Sequence, residues 1–90
     1  MKSTSPLKAL YSVRLPENRL NIHPNEGADI GLMMTQYSAH YKDGTAIELQ
    51  LLNECPIESV ELSFHMWEKL GKPSKVRLGY ENGTLSIDPA

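Results

Sequence analysis

Three histidines, one cysteine and a run of cations are the residues of this chain with chemistry to offer, and their spacing restricts it. His23, His40 and His65 have no second histidine, cysteine or carboxylate at a recognisable metal-ligand spacing, so no metal site is expected. His65 stands near Glu68 on a short helical stretch, which would make an acid–base pair only if both lined a cleft; otherwise it is a solvated helix surface. Cys55 would be a nucleophile only with a lowered pKa, and the neighbouring Glu54 pushes the other way, so a small, inert, half-buried thiol is expected. Gly71, Gly79 and Gly83 are explained by a cap, a strand and a turn rather than a phosphate loop. No catalytic set emerges, and neither enzyme activity nor a cofactor is expected.

Lys69, Lys72, Lys75 and Arg77 place four cations within nine residues, with Glu68 beside them. On a nucleic-acid reading, Lys72, Lys75 and Arg77 meet phosphates. On the plainer reading they are a helix end suited to its dipole and a solvated strand face. Nine basic against eleven acidic residues give a formal charge of −2, poor for a protein whose affinity comes from neutralising phosphates. The plainer reading is preferred.

The elements that position these groups are short. Ninety residues make one domain, 1–90, with 1–7 a frayed polar start. Ala9, Tyr11, Val13 and Leu15 alternate with other residues, which predicts a strand ending before Pro16. From Pro16 to Gly27 the prolines and asparagines predict a loop around a very short extended piece at Leu20 and Ile22. Residues 30–41 fit helical spacing as well as a strand, and turn chemistry decides between them. A three-residue loop at Lys42, Asp43 and Gly44 pairs Tyr37 with Leu49 and Ala39 with Ile47, leaving one face apolar and the other wet.

Further on, Val60 and Leu62 start a strand, Ser63 caps a short helix near 64–70, and Gly71 and Pro73 end it. The helix would pack through Phe64, Trp67 and Leu70. Asn82-Gly83 then predicts a hairpin with Tyr80 facing Leu85 and Leu78 facing Ile87. No internal repeat is visible. The fold expected is α+β, a small antiparallel sheet of about five strands with one short helix.

The order in "VELSFHMWEKLGKPSKVRLGYENGTLSIDP" resembles the strand, short helix ending in Leu-Gly, strand, hairpin and strand of the AbrB/MazE swapped-hairpin regulators, over about the last thirty residues. That resemblance implies two chains interleaved into one barrel that binds DNA. Ser63-Phe64 stands where that family usually has Ile/Val-Pro, the Gly-Asp after the helix is absent, and the basic face is reduced to Lys72, Lys75 and Arg77. The closing cadence is also similar to that of small phage and mobile-element proteins, which implies an interaction protein.

Function is therefore expected to be non-enzymatic binding of a protein partner, as an adaptor or inhibitor, with Met34, Tyr37 and Tyr41 as anchors. A homodimer is expected to cover an apolar face carrying Met33, Tyr37, Leu49 and Leu51. The alternatives are a dimeric DNA-binding regulator or antitoxin, and a small-molecule-binding domain with Trp67 and the tyrosines lining its pocket. One cysteine, no signal-like apolar run and nothing near the roughly 20 apolar residues of a membrane span point to the cytoplasm and away from the membrane.

Overall fold

Alternating apolar residues need a covered face, and in this chain the sheet supplies the cover by closing on itself. The computed structural model describes residues 2–90. Eight strands and two short helices follow in the order β1 (Lys2–Ser3), β2 (Leu7–Ser12), β3 (Arg19–Ile22), α1 (Pro24–Asp29), β4 (Gln36–Tyr41), β5 (Ala46–Leu51), β6 (Ser59–Ser63), α2 (Phe64–Lys69), β7 (Lys75–Glu81) and β8 (Thr84–Pro89). The strands pair in the order β7-β2-β6-β3-β5-β4-β8, and β8 pairs back onto β7, so seven strands close a barrel and β1 adds to the β7 edge. Leu7, Leu20, Ile22, Leu49, Val60, Leu62, Val76, Leu78, Leu85 and Ile87 fill the interior.

The expected α+β fold with a five-stranded antiparallel sheet is thereby corrected to a mostly-β barrel of mixed pairing, 47% strand and 13% helix. β2–β6, β3–β5 and β4–β8 are parallel. Parallel partners are joined by long connections that carry no turn signal. Closure also has a physical advantage for ninety residues, because it buries both edges of the sheet and one whole face without a helical layer.

The local predictions fare better than the global one. Tyr37 faces Leu49 and Ala39 faces Ile47, with Gly44 at φ 91° in the three-residue loop. Tyr80 faces Leu85 and Leu78 faces Ile87 across Asn82 and Gly83, both at positive φ as this tight turn requires. Ser63 caps α2 by accepting from the Met66 N–H at 3.2 Å.

Three local expectations fail. The first strand is β2 and stops at Ser12, leaving Val13 exposed in a turn. The loop expected from Pro16 to Gly27 keeps its extended piece at Leu20 and Ile22 as β3, but it ends in the start of α1, which His23 caps through Nδ1. The polar start does not fray over its described part: Lys2 and Ser3 pair with Tyr80 and Gly79, and the buried Thr4 hydroxyl accepts from the Leu78 N–H. Met1 lies outside the described residues.

The chain also contains a repeat. β2-β3-α1-β4 and β5-β6-α2-β7 follow the same course forty residues apart, α1 at 24–29 and α2 at 64–69. The bond from Lys8 N to Glu58 O has its counterpart from Glu48 N to Asn18 O, each 2.9 Å. Gly31 and Gly71, at φ 78° and 90°, end the two helices. β3 and β6 meet antiparallel at Asn21 and Glu61, so the halves are related by a pseudo-two-fold axis there. β8 closes the barrel on the opposite side, between β4 and β7. The halves place α1 and α2 at opposite ends of the barrel.

Candidate site at the open end of the barrel

The two ends are built alike and finished differently. At the α1 end, Gly27 presses on the Leu51 side chain so closely that a Cβ there would collide with it. Ile30, Leu32 and Glu26 are buried in the seal. Forty residues on, the residue in place of Gly27 is Trp67, and α2 buries none of its residues fully. The indole stacks on Tyr11 with centroids 4.3 Å apart, Phe64 meets Tyr11 edge-on at 5.4 Å, and Trp67 Nε1 donates to Pro73 O at 2.9 Å. Gly27 and Glu26 of α1 are thus buried, whereas Trp67 is half-buried between the core and the Tyr11 ring.

On the other flank of α2 a cleft of roughly 190 Å³ opens into the barrel mouth. Tyr41, Ile47, Met66, Leu70 and Ile87 give it an apolar lining. Glu17, Asp43, His65 and Lys69 carry its charges, with Asn18 and Thr45 between them. His65 Nδ1 lies 3.5 Å from Glu17 Oε1, so its acidic neighbour comes from the β2–β3 turn and not from Glu68. The same turn is tied to the helix cap, because the Ser63 hydroxyl donates to Glu17 O at 2.7 Å. Hydrogen bonds from the Thr45 hydroxyl and N–H, with Lys69 nearby, hold the Asp43 carboxyl below the usual carboxylate range. Tyr41 Oη donates to Ile87 O at 3.3 Å and closes the floor. The cavity is below the roughly 300–1,000 Å³ of small-molecule pockets, and it suits one long side chain better. Trp67, expected to line a pocket, faces the other flank.

The residues singled out from sequence do not form one surface. Met34 is 63% exposed on the α1–β4 connection, and Tyr37 holds that connection by accepting from Met33 N at 2.7 Å and Met34 N at 2.8 Å. Tyr37 and Tyr41 are half-buried against the core, and only Tyr41 reaches the cleft. Leu49 and Leu51, expected under a second copy, face the interior of their own barrel. Lys72, Lys75 and Arg77 are all exposed. Lys75 lies directly opposite Lys8 on β2, which adds a cation unseen in the sequence, while Arg77 lies opposite Asp88.

Cys55 is buried, with its Sγ 3.6 Å from Asn21 O. Burial pushes the thiol up to about 11, with Glu61 and Glu26 adding to it rather than Glu54. Asn21 Nδ2 donates to Glu61 Oε1 at 2.9 Å on the pseudo-two-fold axis. Among the described residues no group of three or more His, Cys, Asp or Glu side chains is placed to hold a metal ion. No described helix is long and apolar enough to cross a membrane.

Sequence reading missed Tyr11 with Phe64 and Trp67 as an exposed aromatic stack. The three-residue spacing of Phe64 and Trp67 was the available signal, and it reads equally as core. No protein-family model, no curated protein and no solved structure matches the chain.

Proposed function

We propose that this protein is a non-enzymatic binding module, of the adaptor or inhibitor kind, that meets a protein partner with the α2 end of its barrel. The observation that carries this reading is the inequality of the two ends. A repeated architecture buries Glu26 and Gly27 of one helix and Ile30 and Leu32 behind it, and at the other end buries no residue of the helix and leaves a cleft on one flank, with a stacked Tyr11, 52% exposed, on the other. Tyrosine, tryptophan and phenylalanine beside a pocket are the composition of binding hot spots. Val13, 78% exposed, follows Tyr11 and extends the apolar surface.

Selection of random peptides on the immobilised chain tests the reading. Enrichment of sequences whose binding is lost in Tyr11→Lys supports it. Enrichment of nothing above background, or of sequences indifferent to Tyr11→Lys, overturns it.

A second reading, a DNA-binding regulator of the AbrB/MazE-like type, is favoured by one observation. Lys8 and Lys75 sit side by side on neighbouring strands with Lys72 and Arg77 close in sequence, although like charges directly opposite destabilise a sheet. Anisotropy titrations with labelled duplex DNA separate the two readings, since phosphate binding weakens steeply between low and moderate salt.

A further inference from the structure

We infer that Asn82-Gly83 is a site of spontaneous modification, where the asparagine cyclises and reopens as isoaspartate, and that this product loosens the seam at which the barrel closes. The inference lies outside the protein-binding reading and does not depend on it.

The reaction needs a free nitrogen and room around it. The Gly83 amide nitrogen, once it has lost its proton to a base in solution, attacks Asn82 Cγ; the Cγ–Nδ2 bond breaks and that nitrogen leaves as ammonia. Water then opens the cyclic succinimide at either carbonyl, giving aspartate or, with the main chain rerouted through Cβ and Cγ, isoaspartate. Asn18, Asn21, Asn25 and Asn53 each precede a residue whose side chain crowds such an attack, and Asn82 alone precedes a glycine. Asn82 is exposed at φ 49°, and nothing lies within 4 Å of a Cβ built on Gly83. The Gly83 N–H donates to no group among the described residues.

The fold contains its own comparison. Asp43-Gly44, at the tip of the β4–β5 hairpin, has the same ring to close, and Gly44 is as open as Gly83. Its nitrogen is engaged, however, because the Gly44 N–H donates to Tyr41 O at 2.8 Å. The Asp43 carboxyl accepts from the Thr45 N–H at 2.9 Å and stays ionised, which makes it a poor target for attack. One turn is locked and the other is open.

The open turn holds the closure of the barrel. Gly83 O accepts from the His40 N–H at 2.9 Å, and His40 with Thr84 and Tyr41 with Leu85 are the residues that pair β4 with β8. A main chain lengthened at Asn82 moves Gly83 O away from His40. Plain aspartate adds a charge beside Glu81 and leaves the length of the main chain unchanged.

The experiment incubates the folded full chain at mildly alkaline pH and follows every asparagine by peptide mapping, with isoaspartate located by electron-transfer fragmentation. Asn82 should convert first, with ammonia released in step. The isoaspartyl chain should then exchange its His40 amide about tenfold faster than the untreated chain, as expected for the loss of one hydrogen bond. Asn82→Asp, freshly prepared, should leave that exchange unchanged. Asp43→Asn places a second Asn-Gly in the locked turn, where conversion should run about tenfold slower than at Asn82. Equal rates in the two turns, or conversion of Asn82 only in denaturant, overturns the site. Isoaspartate at Asn82 with His40 exchange unchanged, or quickened as much in Asn82→Asp, overturns its effect on the seam.

Discussion

Gly27 and Trp67 occupy the same position in the two halves of the barrel, and the exchange of the smallest side chain for the largest distinguishes a helix pressed onto Leu51 from one that buries none of its residues fully. Gly27 brings α1 onto Leu51; Trp67 packs half-buried against the core and stacks its ring on Tyr11. The protein-binding reading follows from that difference.

Gly27→Ala tests the seal. Alanine favours a helix interior by about 1 kcal/mol over glycine, but the new methyl runs into Leu51, and overpacking costs about 1–3 kcal/mol. We expect net destabilisation of about 1 kcal/mol by urea unfolding. A gain in stability would show that α1 does not press on Leu51.

Ser63→Ala removes the cap on α2 and the bond to Glu17 O together. Loss of such a cap costs about 0.5–2 kcal/mol, and here the β2–β3 turn is released as well. Hydrogen exchange should quicken at Met66 and around Glu17. Unchanged exchange at both would contradict the shared role of this hydroxyl.

The Cys55 thiol gives a pH signature. Its folded-state pKa is raised from 9.0 to about 11, so the unfolded chain releases the proton first as pH rises. Its stabilising contribution is fully present below pH 9 and is lost as pH rises through about 11. Cys55→Ala should flatten the fall in stability across that window, and the native thiol should react slowly with disulfide reagents at pH 8. Rapid reaction without unfolding would contradict its burial.

Lys75→Glu replaces a like-charge pair with an opposite-charge one across β2 and β7. Cross-strand pairs are worth roughly 0.2–1 kcal/mol, so the variant should be more stable by about that amount at low salt, with the gain fading at high salt. No gain at low salt would show that Lys8 and Lys75 do not face each other in solution.

How much of this was legible in the chain depends on the range of the signal. Gly44 and Asn82-Gly83 announce turns within a few residues, so both hairpins and their registers could be read. Ser63 and Gly71 likewise mark the ends of α2. The parallel pairing of Lys8 with Ser59 and of Arg19 with Glu48 leaves no such mark, and without it the sheet reads as open. The repeat is hidden for a related reason. Between residues 7 and 43, only Pro16 and Gly31 recur as identical residues forty positions on, at Pro56 and Gly71, because backbone geometry fixes those two while the rest need only be apolar or polar. Residue type marks Met34 as an anchor but carries no sign that Tyr37 is occupied with its own loop.

The most direct test of the open end as the contact face compares two charge insertions against the same selected peptide. Met33, 92% exposed on the α1–β4 connection, offers the competing apolar surface. The account predicts that Tyr11→Lys weakens the peptide by about tenfold or more, the loss of a typical hot-spot contact, while Met33→Lys leaves the Kd within about twofold. Loss of binding in Met33→Lys with Tyr11→Lys unaffected would contradict it.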